Sequence, residues 1–469
     1  MVIVIIRLKR THKKHITTLY IFMKIFAFIR LKPEKTPAIA VLLCFLFSTF
    51  TTAKENIPDT QNINNELIHH LINNDSMAVK NTLRSCGKCL SFIDPLLLDW
   101  ANGIFARQEK NYAASIRYYR KVISVRPDWY SARLQLATVL FLNKDMLSAE
   151  SQLRKLRSEA LPEEATGLID SFITRIQKSD SWSFRGGVTY LNEKNINNAP
   201  PSGHSIGRWK PEKPQSGRGA MFWGEAEKTF SLPNNLFSIA RLSTSGKIYK
   251  NNHPYDELDG SIGLGLGYRN VNSQFLLIPF YEKSYYGGGK TSEKGLKPYS
   301  DTRGIGTEAT LQVSNRWRLY SDFKTGKNEY KKQSYLNGFS YSLNETLIYF
   351  PDSRQYISSG IGHRIVRTED KSSAYDRTSF RLGWMYEWNG GISTLLQTSY
   401  GYRIYHAGDF WGIKKKNHEY STSVTLWHRD IYILGLTPKI TWNYQRTDSN
   451  HPFYDTEKNR IFLSFSKYF

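Results

Sequence analysis

The sequence predicts an N-terminal α-helical repeat domain followed by a C-terminal 14-stranded antiparallel transmembrane β-barrel. Three observations carry that expectation. A 34-residue self-similarity runs through residues 96–163. After Ser181 the apolar period changes from helical to two. The connections between strand candidates then alternate long and short, as they do in bacterial outer-membrane barrels. Composition agrees. Aromatics make up 14% of the chain, with 29 Tyr and 25 Phe, yet mean hydropathy is negative. One wet face and one lipid face per strand give that combination.

Residues 1–53 read as an export region. Lys32 and Lys35 precede an apolar run from Ala38 to Phe50, and Thr51-Thr52-Ala53 supplies small residues for cleavage. Met23 is a plausible true start. Cys44 lies inside the apolar run behind bulky Leu42 and Leu43, which does not suit a lipid-attachment cysteine. Cleavage would leave Cys86 and Cys89, an even pair in an oxidising compartment, and a disulfide staple is expected there. Their spacing also matches redox motifs, but no βαβ pattern surrounds it. The formal charge of +23 points to nucleic acid in an intracellular protein. In an exported one it suits a basic lumen, loops near anionic lipopolysaccharide, or an acidic protein client.

Residues 54–180 form the expected helical domain. Aligning Leu96–Trp129 with Tyr130–Glu163 matches Gly103 to Ala137, Ser115 to Ala149, Tyr119 to Leu153 and Val122 to Leu156. Small residues fall where helices cross, and large ones where neighbouring repeats share a core. With Tyr112, Ile116 and the closing Pro127 the pattern resembles tetratricopeptide repeats. Asn102 departs from the usual Leu, and the second closing proline is displaced to Pro162. Leu67–Leu90 is expected to add a capping helical pair. Such repeats bind peptides on the face made by their first helices. By repeat position Trp100, Ile104, Arg107, Gln108, Gln135, Thr138 and Phe141 are the candidate client-binding residues, with Ile104 and Phe141 equally explained as inter-repeat core.

Residues 181–469 form the expected barrel. Phe380, Leu382, Trp384, Tyr386 and Trp388 alternate with Arg381, Gly383, Met385 and Glu387; Ile440, Trp442 and Tyr444 alternate with Thr441, Asn443 and Gln445. Fourteen such segments lie near 182–191, 219–230, 235–246, 258–270, 273–285, 303–313, 316–325, 339–350, 354–366, 377–388, 391–404, 418–429, 432–447 and 459–469. Long connections follow the odd strands and short ones the even strands. That rule puts the helical domain in the periplasm and the long loops outside. Ile461, Leu463, Phe465 and the terminal Phe469 share one face, as in strands read by the barrel-assembly machinery.

No catalytic constellation emerges. There is no zinc spacing, phosphate loop or nucleophile elbow in a suitable context, so no enzyme activity, cofactor or metal is expected. Gly263, Gly265 and Gly267 read as barrel packing.

Signal region, short repeat domain and a 14-strand barrel in that order resemble the surface lipoprotein assembly modulators, the outer-membrane translocators of type XI secretion. The resemblance rests on domain order, strand number and Gly103, Tyr112, Pro127, Ala137 and Ala149. It implies a non-enzymatic translocator that delivers a lipoprotein, or a soluble host-interacting protein, to the cell surface, with a link to host colonisation. Lipopolysaccharide, outer-membrane lipids and the barrel-assembly machinery would be partners, nucleic acid would not, and the chain would act as a monomer. A polysaccharide-export porin and a surface adhesin acting through long loops such as Asn192–Arg218 are the alternatives.

Overall fold

The computed structural model describes residues 58–200, 205–206, 208, 210–289, 295–431, 433 and 436–466. The expected export segment and Phe469 lie outside the described residues. Among the described residues seven helices come first: α1 Pro58–Ile72, α2 Ser76–Cys86, α3 Pro95–Gln108, α4 Tyr112–Val125, α5 Tyr130–Leu142, α6 Met146–Arg157 and α7 Glu163–Gln177. A 3-10 turn, Gly87–Phe92, follows α2. It contains Cys89, whose side chain lies outside the described residues.

The first six helices form three equivalent pairs. Between the helices of each pair one residue takes a left-handed conformation: Asn74 (φ 55), Lys110 (φ 60) and Lys144 (φ 60). In all three turns the next N–H reaches back five residues. Asp75 donates to His70 O at 3.0 Å, Asn111 to Ala106 O at 2.8 Å and Asp145 to Leu140 O at 2.9 Å, which satisfies carbonyls that helix ends leave open. Within the second pair Gly103 permits the crossing. A Cβ there would stand 3.0 Å from the Tyr119 ring, and Ser115 Oγ donates to Gly103 O at 2.7 Å. Asp94 starts α3 by accepting from Leu96 N, and Asn111 starts α4 by accepting from Ala114 N; side-chain caps of this kind stabilise a helix by about 1 kcal/mol. A single core of Leu67, Leu71, Leu97, Trp100, Ile104, Tyr119, Leu136 and Leu153 runs through all three pairs.

The strands close into one antiparallel barrel in sequential order, β1 paired with β14. They are β1 Ser181–Glu193, β2 Gly217–Ser231, β3 Leu236–Tyr249, β4 Glu257–Arg269, β5 Ser273–Tyr286, β6 Lys297–Gln312, β7 Trp317–Tyr330, β8 Gly338–Asp352, β9 Gln355–Thr368, β10 Tyr375–Glu387, β11 Ile392–Gly408, β12 Lys414–His428, β13 Thr437–Ser449 and β14 Thr456–Ser466. Alternation fixes the faces. Trp182, Phe184, Leu242, Leu264, Phe275, Leu343, Phe380, Leu382, Ile440 and Ile461 are exposed on the outer face, the apolar belt of a lipid-facing barrel. Inward positions are charged, small or tightly packed. Gly263, Gly265 and Gly267 face inward, where added Cβ atoms would approach Ile278, Ile239 and Phe237 to within 2.6–2.9 Å. Their absence seats an inner apolar cluster of Phe237, Ile239, Leu276 and Ile278.

Two loop expectations change. The strands at the long-loop end climb higher than the alternation pattern shows, because polar residues can continue pairing beyond the membrane. Thus β6 starts at Lys297, and β11 and β12 continue across a bulge to Gly408 and Lys414. At the other end the connection after β12 is not short. It spans 429–436 and contains an Ile433–Leu436 bridge, and Arg429 within it is held by contacts to the helices described below.

The long-loop end carries a buried aromatic cage. His451 is fully buried among the rings of Trp411, Phe453 and Tyr454, and its Nε2 stands 2.9 Å from Asp409 Oδ2. Burial pushes the imidazole below its ordinary value, Lys415 adds to that, and Asp409 opposes it. An opened loop therefore takes up a proton more readily than the closed one. The stabilisation is complete above the free-histidine range near 6.5 and is lost as pH falls through the depressed value. Protection factors at residues 409–413 and 450–455, corrected for the intrinsic pH dependence of exchange, should fall between about pH 7 and pH 5, a window taken from that reference value. Protection that rises on acidification would contradict the assignment.

Candidate functional site

The two parts of the chain meet where the helices sit on the short-turn end of the barrel. All six hairpin connections at that end touch the segment from α4 to Asp180. Ser231, closing β2, donates from its N–H to Asp180 Oδ1 at 2.7 Å. In the β4–β5 turn Val271 O accepts from Arg154 at 3.4 Å and Asn272 Oδ1 from Arg157 at 2.9 Å. Arg316, between β6 and β7, donates to Ser158 O at 3.3 Å. Ser353 N, between β8 and β9, donates to Glu159 at 2.6 Å. Glu387, closing β10, binds Arg133 and Lys155. Beyond β12, Arg429 donates to Ser124 O at 2.6 Å, while its own carbonyl accepts from Arg120 at 2.8 Å.

Glu387 is the electrostatic centre of this junction. It faces inward at the end of β10 and is 2% exposed. Arg133 of α5, 0% exposed, reaches Oε2 at 2.9 Å, and Lys155 of α6 reaches Oε1 at 2.7 Å. Arg133 is further held by Gln152 at 2.8 Å and Pro127 O at 3.0 Å. Burial lowers the Lys155 ammonium below its ordinary value, with Glu387 opposing that shift. A buried carboxylate between two cations fixes the angle of docking more surely than it adds net stability, because desolvation offsets much of the attraction.

Beside this clamp the cap leaves an opening. A cavity of about 410 Å3 lies between Glu150, Ser151 and Arg154 of α6 and the inward residues Arg185, Gln274 and Arg318 of the barrel. Its walls are one face of α6, the β4–β5 turn and inward side chains of the barrel.

The candidate groove residues divide. Trp100, Ile104 and Gln135 are buried inside the repeat stack. Gln135 is a polar node there: its Oε1 accepts from Trp100 Nε1 and Tyr119 Oη at 2.9 Å each, and its Nε2 donates to Leu71 O at 2.9 Å. Those bonds tie all three helical pairs together, so the position that repeat alignment assigns to a groove is occupied by the stack itself. Arg107 and Gln108 lie at the edge, where Arg107 donates to Asn74 at 2.9 Å and Gln108 to the Ser76 hydroxyl. Thr138 turns back to Leu134 O at 3.0 Å, and the Phe141 ring packs on Phe172 with centroids 5.8 Å apart. Sequence reasoning did not single out Arg133, Lys155, Glu387 and Arg429. Glu387 carried a signal, as an acid at an inward position on a strand otherwise rich in aromatics.

A helical-repeat cap clamped to the rim of a lipid-facing barrel defines a class: two-domain membrane barrels whose lumen is approached past a docked helical domain. The chain belongs to the surface lipoprotein assembly modifier family. Residues 182–469 match the model of that family, and residues 51–153 match that of its N-terminal TPR repeats. It is 38% identical over 440 residues to surface lipoprotein assembly modifier 1 of Haemophilus influenzae, covering 93% of this chain and 90% of the relative. It is 40% identical over 424 residues to the surface lipoprotein assembly modifier of Pasteurella multocida, covering 86% and 82%. A hemophilin secretion modulator of Acinetobacter baumannii is 23% identical over 396 residues, covering 78% of each chain. Among solved structures the outer-membrane channel DcaP of Acinetobacter baumannii aligns with 61% of this chain and 97% of its own, at 9% identity and a TM-score of 0.34.

Proposed function

We propose that the chain is an outer-membrane translocator that delivers a specific lipoprotein, or a soluble host-interacting protein, to the bacterial surface in support of host colonisation. In this reading the short-turn end and its helical cap lie in the periplasm and the long loops face outward among lipopolysaccharide. The barrel-assembly machinery inserts the barrel, one chain suffices, and no catalytic step is needed. The observation that carries it is the cap held by all six hairpin connections, with a cavity between α6 and the inward residues of the barrel. A client captured by the repeats is thereby handed to the barrel without leaving the protein. Family membership supports the lipoprotein as client class.

Protease shaving of intact cells with and without the chain, read by mass spectrometry, tests this. At least one lipoprotein should leave the shaved fraction while its total amount is unchanged. If every surface protein stays in place and sugar export fails instead, the chain is a polysaccharide porin and the proposal falls.

A further inference from the structure

The lumen has two unlike walls. On β3 to β5 the inner face carries Phe237, Ile239, Leu276 and Ile278. On β9 to β11 it carries arginines. Arg364 on β9 stands directly opposite Arg377 on β10, and Arg377 directly opposite Arg403 on β11. Three arginines therefore lie in one row across three neighbouring strands, just inside the long-loop end. Arg381 lies two inward positions along β10 from Arg377, past Ser379, toward the barrel middle. Like charges directly opposite on one face of a sheet are destabilising, so such a row has a cost that its fold does not require.

The charge there is poorly matched. Glu419 of β12 serves both Arg377, at 2.7 Å, and Arg403, at 2.8 Å. Arg364 and Arg381 have no carboxylate within ion-pair distance among the described residues. Arg381 reaches the neutral Asn344 Oδ1 at 3.3 Å, and Asn344 Nδ2 in turn donates to Asp322 at 3.2 Å; Arg364 is exposed to the lumen. Arg403 Nε is buried without a hydrogen-bond partner among the described residues. Glycines clear the wall beneath. A Cβ at Gly401 would stand 2.9 Å from Arg377 Nη2, and one at Gly360 3.3 Å from Arg381 Nε. The guanidinium groups thus lie close to the wall.

We infer that Arg364, Arg377, Arg381 and Arg403 form a carboxylate-binding row for acidic segments of an extended polypeptide passing through the lumen. Guanidinium forks match carboxylates in a bidentate geometry. Four of them against one directly paired carboxylate, Glu419, and one reached through Asn344, Asp322, leave a surplus that passing side chains neutralise in turn. Several exchangeable contacts hold such a chain loosely enough to let it advance. This inference rests on the translocator reading, but it makes a claim about binding that is measured without transport.

The test uses the full chain in detergent, with fluorescent decaglutamate as probe and decalysine as its control. The wild type should bind decaglutamate and not decalysine. R364Q/R381Q leaves the Glu419 bridges in place, and it should weaken decaglutamate binding at least about tenfold, the effect of losing one charged contact. R364K/R381K should restore part of the loss, and K327Q, on the outer face, should change nothing. Heat-modifiable migration of each variant shows that the barrel is folded. Wild-type affinity in folded R364Q/R381Q overturns the row, as does equal binding of decalysine. Full displacement of decaglutamate by inorganic phosphate at matched charge also overturns it, by making the row a site for lone anions. A chain that binds decaglutamate in this manner yet leaves every surface lipoprotein in place without it keeps the row and loses the translocator reading.

Discussion

Replacing Glu387 with Ala should release the helical cap from the barrel while leaving both folded. The substitution strands Arg133 and Lys155 at 0% and 13% exposure without their shared carboxylate. Breaking a buried pair from one side costs about 3–5 kcal/mol, which is about two to four orders of magnitude in a docking equilibrium. Hydrogen exchange at the barrel-facing side of α5 and α6 should rise by a comparable factor. Exchange within β10 should hardly change, since its ladder to β9 and β11 is intact. Replacing all three partners with Met removes the stranded charges as well, and docking should then largely recover. If Glu387→Ala leaves α5 and α6 as protected as before, the other five hairpin contacts hold the cap alone and the central clamp is dispensable.

Removal of residues 55–178 should leave a heat-modifiable barrel in the membrane but abolish surface delivery of the client. The barrel can stand alone because its strands satisfy one another around a closed ring, which is what a membrane span requires. The helices contribute contacts at the rim and none of the strand pairing. Loss of capture should be total, since the cavity beside α6 would lose its helical wall. A deleted chain that still displays its client in full would place recognition in the barrel, and the repeats would need another role.

What the sequence made legible follows from what each element must satisfy locally. Every strand between lipid and water announces itself residue by residue, as Phe380 to Trp388 does, so all fourteen were readable, with their faces. The repeats were readable because Gly103 and Ala137 are small where helices cross. Relations across the chain were not readable. Arg133 and Glu387 are 254 positions apart, and nothing local to either names the other. Arg364, Arg377 and Arg403 form a row only once the register of three strands is known. Gln135 was misplaced for the same reason. A groove position and the hub of a three-pair stack look alike until the neighbouring pair, with Leu71 O, is in place.

The six-point seat of the cap also sets an order of events. Its contacts come from hairpins that begin with Ser231 and end with Arg429, so the full seat does not exist until nearly the whole sheet has closed. The helices are the first part of the described chain to be synthesised, yet they are the last to find their place. Until then Arg133 and Lys155 have no buried acid to meet, and the repeats remain outside a half-built wall. The fit of the cap is therefore a record of completed construction: a barrel missing one hairpin offers a seat with one leg short.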